Sequence, residues 1–533
     1  RKQIKKAISK NKLIEIGSRR LAIKKAINEL ACDELLIVAG KGHETFQEYK
    51  DKKYFSDKKC IISSIKNKNK KISKNWKINI MSENLNRKIN PNIIVRNASI
   101  NSKKINKNDV FFGIKGKRID GNKFADEAIN NGSSLSIIDK FFGKKNKKKL
   151  IVKNSLKYFT KCAEKVRSSS NIFALAITGS SGKTSLKELL GQTLSKIKPT
   201  TYSNKSFNNK YGVPISLFNI NKKDKFGVFE VGMNKKKEIY NLSKIIKPNI
   251  GIITNVSYAH IENFKNLNGI ANAKSEIIDN IIKNGSLVIN ADDNYFNFFK
   301  KKAEQKGLEV ISFSKKNKSN VMLKKIFRKK NSLILLININ GTFKKFKIKK
   351  SLESYLYNIL ACVAVISKLI NLDQINEKIF YDYKLPEGRG DYKLIHINKK
   401  KIKLVDESYN SNPASLEFAL KSFDRIKTNS KKIVLLGDML ELGSFSKKLH
   451  IEVARSINNT KINKVYAYGK NIIYTFNKIR TQKRAKLLKS KKDIFDFLQN
   501  DINNGDYLMV KGSNSTGLNS LVSKLKLGKV NAL

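Results

Sequence analysis

The chain has 533 residues, 40% of them hydrophobic and 9% aromatic, which is enough for several packed cores and too apolar for a disordered polymer. Its net charge is +66, but the lysines are spread along the whole length with no zinc spacing, RNA-binding aromatic motif or basic zipper, so no nucleic-acid partner is expected. The longest apolar runs, FALAI (173–177) and LILLI (333–337), are too short for a bilayer, no signal peptide is visible and the four cysteines form no CxxC pair; a cytoplasmic setting with no membrane insertion is expected.

The chain begins at Arg1 rather than Met, and a piece of a longer protein is expected. Residues 1–65 read as a small α/β unit, with a helix over SRRLAIKKAINEL (18–30) and a strand over ELLIVAG (34–40). Residues 66–92 are Lys/Asn-rich and aperiodic, which reads as a linker; Met81 inside it has the look of an ancestral start. A second α/β unit is expected over 93–168, with strand DVFFGIKG (109–116), helix NKFADEAINNG (122–132) and strand LIVK (150–153). From 169 to 385, strands at 173–179, 226–232, 250–256 and 286–292 alternate with helices at 183–196 and 268–285. A last block, 386–533, carries strands at 401–406, 432–438, 464–469 and 507–512. This alternation predicts an α/β fold with parallel sheets.

The strongest local signal is AITGSSGKTSLKELL (176–190), an apolar strand running into Gly179, Ser180, Ser181, Gly182, Lys183, Thr184 and Ser185, then a helix. Glycines let backbone N–H groups curl towards phosphate oxygens, and the helix N-terminus adds positive potential. Lys183 would neutralise the outer phosphates of ATP and the Thr184 hydroxyl would face Mg²⁺. Only two residues separate the glycines, where the general pattern has four.

That short TGxxGKT form resembles the Mur ligases and the related folylpolyglutamate synthetases. Further stretches match the Mur ligases in chain order. FEVGMN (229–234) ends a strand with Glu230, which matches the acidic Mg²⁺ ligand of the family. NVSYAHIENF (255–264) matches the segment with a metal-binding histidine, His260, and IANAKSEI (270–277) the helix with a lysine carbamylated in many Mur ligases, Lys274. A carbamate turns a cation into an oxygen ligand suited to Mg²⁺. YNILACVAVI (357–366) resembles the adenine-contacting segment, with Asn358, and EGRGDY (387–392) the Gly-Arg near the start of the last domain, with Arg389 on the ATP side. The resemblance implies the three-domain Mur architecture: UDP-binding at 93–168, ATP-binding at 169–385, a Rossmann-like ligase domain at 386–533, and a hinge at 384–390. It implies ATP and Mg²⁺ as cofactors.

VDESYNSNPASLEFAL (405–420), GDMLELG (437–443) and KSFNNKYGVPISL (205–217) are closest to the branch of the family whose substrates are UDP-N-acetylmuramoyl-tripeptide and D-alanyl-D-alanine. By that resemblance Asp406 serves ATP, while Tyr409, Asn410, Asn412, Asn208 and Asn209 face substrate. The Asp-Ser-Arg of the uridine site reads Asn101-Ser102-Lys103 here, so Ser102 and Lys103 are the candidate contacts; Lys keeps the charge but loses the bidentate fork. The resemblance covers about 93–533. Separately, residues 15–57, including AGKGHE (39–44), resemble the end of the preceding, meso-diaminopimelate-adding ligase, with Gly40 and Glu44 at its amino-acid contacts. A parent chain fusing two consecutive ligases is expected, with a vestigial docking domain as the other reading. A folylpolyglutamate-type ligase, a basic phosphate-loop NTPase and a scaffold remain the rival readings.

Overall fold

The computed structural model describes residues 14–30, 35–40, 47–48, 52–53, 55–85 and 88–528. It divides into two compact units, Arg1–Cys162 and Ala163–Leu533. In the first, Ser18 caps the helix Arg19–Glu29 by accepting the Leu21 N–H. Ile23 and Ile27, one turn apart, bury against Cys60. Arg19 ties the segment together: its Nε donates to Asp57 Oδ1 at 2.9 Å and its Nη2 to Gly40 O at 2.6 Å. The strand expected at 34–40 is not formed over the described residues 35–40, where Leu35 and Ile37 are 86% and 78% exposed. A strand needs a ladder neighbour, and these residues have none described. Glu44 lies outside the described residues.

The segment read as a linker is helical instead: a single helix spans Asp57–Leu85. Its polar composition hides a helical stripe. Trp76, Ile80 and Met81 are buried, and Lys77 is buried with them, its Nζ donating to Arg96 O at 2.5 Å. Tyr158 donates to Met81 O at 2.7 Å. The end of this helix therefore belongs to the core around the sheet that follows it in the same unit. That sheet has four parallel strands, Ala98–Ser99, Val110–Phe112, Leu135–Ile138 and Lys149–Ile151 in sequence order.

The second unit holds two sheets. The larger has nine strands, in spatial order Thr342–Lys349, Ser332–Ile339, Val321–Arg328, Glu309–Ser314, Ser286–Asn290, Ile250–Ile253, Phe173–Thr178, Phe226–Glu230 and Thr200–Tyr202. The first three form an antiparallel meander that strand–helix alternation does not predict; the others run parallel. Phe173–Thr178 is flanked by Ile250–Ile253 and Phe226–Glu230, so the chain reverses its winding there. In parallel sheets ligands bind at the carboxyl ends beside such a switch. The helix Leu356–Leu369 packs its apolar length into the core of this sheet. With the preceding turn, Lys350–Leu369 is long and apolar enough to cross a membrane by length and composition, and most of its apolar stretch is buried inside the fold.

The smaller sheet orders Asp391–Ile397, Lys400–Glu407, Tyr507–Lys511, Lys432–Gly437, Lys464–Tyr468 and Arg484–Leu488, the first pair antiparallel and the rest parallel. It meets the larger sheet at two places. Ser354 and Ser422 hydroxyls are 2.5 Å apart beside a Tyr355–Phe418 edge contact at 6.1 Å. On the other side, the loop at 439–445 reaches the loop at 258–264, where Glu262 N–H donates to Glu441 O at 3.2 Å.

Candidate active site

The loop after strand Phe173–Thr178 is built by strain and by its neighbour strand. Gly179 has φ +144° and Gly182 φ +82°, and a Cβ on Gly179 would stand 1.8 Å from Thr254 Oγ1. Only glycine fits there. Residues 254–257 then clamp the loop: Thr254 Oγ1 donates to Ser181 O at 2.7 Å, Ser181 N–H to Asn255 Oδ1 at 3.0 Å, and Ser180 Oγ to Ser257 O at 3.0 Å. Helix Lys183–Ser195 starts at Gly182 with its first N–H groups turned to this loop. Ser185 is buried, and its carbonyl accepts Tyr383 OH at 2.8 Å.

Lys183 Nζ folds back onto Gly179 O at 2.6 Å. Burial lowers its pKa, and Glu230 and Glu441 oppose that shift while Arg389 adds to it. Thr184 Oγ1 donates to Glu230 Oε2 at 2.8 Å and lies 3.1 Å from Ser206 Oγ; Asn208 Nδ2 donates to Glu230 Oε1 at 2.8 Å. A hydroxyl and a buried carboxylate side by side at the phosphate loop are hard oxygen donors, and they fit one Mg²⁺. Asn208 thus braces the carboxylate rather than projecting freely. Asn209 Oδ1 accepts the N–H groups of Tyr211 and Gly212, both at 3.0 Å, ahead of helix Gly212–Phe218.

Lys274 is 1% exposed. Burial first, and Lys183 second, push its pKa well below the ordinary lysine value, with Asp293 pulling the other way. His260 sits at φ +62° with Nδ1 2.6 Å from Glu441 Oε2, a close contact out of line for a hydrogen bond. The imidazole against it, more than any other neighbour, lowers the Glu441 pKa. Among the described residues no three His, Cys, Asp or Glu side chains cluster as a metal cage. His260 therefore faces the other sheet's loop, while Lys274 lies beside Lys183 and Asp293.

Asn358 packs on the loop, its Nδ2 3.4 Å from Gly182 O. Beside it, Tyr357 donates to Asp292 at 3.1 Å and Lys315 Nζ stands 4.9 Å from the Tyr357 ring. Sequence reasoning missed this group because its members come from three separated segments.

Arg389 lies between two positive-φ glycines, Gly388 at +74° and Gly390 at +82°. Its guanidinium stacks 4.5 Å over the Tyr409 ring, and its Nε is buried with no partner. Asp406 is turned away: Ser408 and Lys526 hold its carboxylate, Lys526 Nζ at 2.6 Å. Lys526 also pairs with Asp391. The adjacent Glu407, which the sequence reading did not select, faces the Arg389 side. Strand alternation permits only one of the two acids to do so.

Asn410 offers its carbonyl to Lys511 Nζ at 3.1 Å, and its Oδ1 accepts Ser411 N–H at 2.9 Å. Asn412 is the N-cap of helix Pro413–Asp424, in a capping box with Ser415 and with Pro413 behind it. Asn412→Ala should cost about 1 kcal/mol of stability through the lost cap. Denaturant unfolding beside substrate KM tests this: an unchanged midpoint with a raised KM would move Asn412 from cap to substrate contact. In the first unit, Ser102 Oγ donates to Glu127 Oε2 at 2.8 Å and Lys103 N–H to Asn101 Oδ1 at 3.0 Å.

His450, absent from the sequence reading, positions the 439–445 loop. It is fully buried, its Nε2 accepts Met439 N–H at 3.2 Å, its Nδ1 lies 2.8 Å from Ser446 O, and burial lowers its pKa. It is a neutral structural histidine.

Parallel strands ending in a phosphate loop, an acid on the neighbouring strand and a second sheet closing over them define a phosphate-loop nucleotide-binding enzyme of the ligase type. The chain belongs to the Mur ligase family. Residues 95–168 match the Mur ligase family catalytic domain, 177–366 the Mur ligase middle domain, and 394–514 the Mur ligase glutamate ligase domain. It is 33% identical to the UDP-N-acetylmuramoyl-tripeptide–D-alanyl-D-alanine ligase of Buchnera aphidicola subsp. Baizongia pistaciae, over 71% of this chain and 81% of that one. It is 30% identical to the ligase of the same name from Rickettsia prowazekii, over 84% of this chain and 99% of that one. Among solved structures it is similar to the MurF ligase of Thermotoga maritima in complex with ADP, with TM-score 0.68 and 25% identity, over 83% of this chain and 100% of that chain.

Proposed function

We infer that the chain is an ATP-dependent amide ligase that joins D-alanyl-D-alanine to UDP-N-acetylmuramoyl-tripeptide through an acyl phosphate, in cytoplasmic synthesis of the peptidoglycan precursor. The observation that carries this reading is the alignment to nearly the whole length of a ligase of that name, with the phosphate loop, Glu230 and the GDMLELG loop all in that span.

The chemistry asks three things of these side chains. Two anions must meet, the tripeptide carboxylate and the outer phosphate of ATP; the Lys183 ammonium and the loop N–H groups offset their repulsion. Thr184 and Glu230 would hold Mg²⁺, with His260 and a carbamylated Lys274 at a second position. Bound there, Mg²⁺ would lend charge neutralisation to the phosphoryl oxygens. Arg389, carried on the last sheet, covers the phosphates when the two sheets close about 384–390, and closure excludes water from the acyl phosphate. The amine of the dipeptide then attacks the carbonyl and phosphate leaves.

The test is ADP formation with ATP, Mg²⁺, UDP-N-acetylmuramoyl-tripeptide and D-alanyl-D-alanine, omitting each in turn. Dependence on all four is the expected result; ADP formed from ATP alone would point to an NTPase.

Residues 1–65 we read as the tail of a preceding ligase in one parent chain, on the resemblance of residues 15–57 with AGKGHE (39–44) to the end of that ligase.

A further inference from the structure

We propose that Lys511 and Glu407 are a buried charge pair that keeps Arg389 free for the nucleotide phosphate. The inference rests on the reading of Arg389 as an ATP-side residue and extends it to two residues that reading does not use.

The geometry raises a question of charge. Arg389 makes no ion pair among the described residues, and its Nε is buried and unpartnered. Yet a carboxylate lies next to it: Glu407 Oε1 would be 3.1 Å from a Cβ built on Gly390, the residue that follows Arg389. A guanidinium whose charge reaches a buried carboxylate, as that of Arg389 reaches Glu407, can close into a bidentate pair with it. Here it stacks on Tyr409 instead.

Lys511 supplies the reason. It ends the strand Tyr507–Lys511, in register beside Glu407 on the neighbouring parallel strand. Its Nζ is 3.5 Å from Glu407 Oε2 and 3.1 Å from Asn410 O. The two side chains are only 2% and 13% exposed. Burial lowers the Lys511 pKa and raises that of Glu407, so each depends on the other to stay charged. With Glu407 paired from the Lys511 side, and Asp391 and Asp406 both held by Lys526, no carboxylate of the cluster is left to close on Arg389. A phosphate group is its complement. Without Lys511, the nearest cation for Glu407 is Arg389, which would be drawn off the phosphate position.

The experiment compares Lys511→Met, Glu407→Gln and the double variant with wild type. The readouts are KM for ATP and for D-alanyl-D-alanine, calorimetric affinity for a non-hydrolysable ATP analogue, and thermal melting. Lys511→Met should weaken ATP and analogue alike by about tenfold while KM for the dipeptide holds. Glu407→Gln and the double variant should stay within about threefold of wild type for nucleotide, because no carboxylate is left to capture Arg389. If Lys511→Met melts too low to assay, Lys511→Gln, which removes the charge but keeps a donor for Glu407 and the Asn410 carbonyl, takes its place with the same expected loss, and wild-type nucleotide affinity in it would overturn the proposal. Nucleotide affinity lost in Glu407→Gln, lost equally in the double variant, or a defect confined to D-alanyl-D-alanine would overturn the proposal. The analogue titration needs no turnover, so a failure of the ligase reading would show separately, as wild-type protein that binds nucleotide but makes no ADP with both substrates.

Discussion

Replacing Lys183 with alanine is expected to lower turnover by about a hundred- to a thousandfold, with little loss of thermal stability. The first part follows from electrostatics: a positioned cation between two reacting anions has that order of effect when it is removed from a dry site. The second follows from its surroundings. The folded structure disfavours the charged form of Lys183, because burial and Arg389 outweigh the help of Glu230 and Glu441. Among the described residues its side chain donates to Gly179 O, a contact that phosphate binding would replace. The measurement is steady-state ADP formation with a melting curve on the same preparation. A variant that melts far below wild type would make Lys183 a structural residue; one that turns over normally would remove the phosphate loop from the chemistry.

Lys274→Ala should cost on the order of a hundredfold in activity, the scale on which removing a group that supports a bound metal is felt. A lysine that is 1% exposed and crowded by Lys183 is an unfavourable place for a cation. Its pKa is lowered well below the usual value, so the neutral amine is populated at lower pH than for a surface lysine. A neutral amine there would add carbon dioxide with release of a proton, and the carbamate would exchange a repelled cation for an anion that Lys183 attracts. Wild-type activity should therefore fall when carbon dioxide is stripped and return with bicarbonate, and the return should weaken as pH falls and the amine protonates. Lys274→Ala should be indifferent to bicarbonate. Equal wild-type rates with and without bicarbonate would leave Lys274 as an uncarbamylated buried lysine.

The phosphate loop was legible because its signal is local: two glycines, a lysine and a hydroxyl between an apolar strand and a helix. Glu230 was legible only through the family resemblance, since an acid at the end of a buried strand carries no signal of its own. Glu407 was not. Asp406 and Glu407 are adjacent acids in one strand, and which of them faces the site depends on register with Tyr507–Lys511 and on Lys526 arriving from the last helix to claim Asp406. Both are long-range facts. Asn412, read from a family segment as facing substrate, also caps a helix, a role the sequence reading left out. The helix Asp57–Leu85 was lost to composition, because Lys and Asn dominate it and Lys77 is buried where a polar face would be assumed. The antiparallel meander at 321–349 was missed because a parallel-sheet pattern gives no warning of its own interruption.

The most direct measurement uses tripeptide substrate labelled with heavy oxygen in its terminal carboxylate, turned over with ATP, Mg²⁺ and D-alanyl-D-alanine. Mass spectrometry reads both products. Activation as an acyl phosphate carries one labelled oxygen into the released phosphate as the amide bond to D-alanyl-D-alanine forms, and that is the predicted result. Unlabelled phosphate alongside unmodified tripeptide would mean that the site hydrolyses ATP without activating a carboxylate, and would contradict the account.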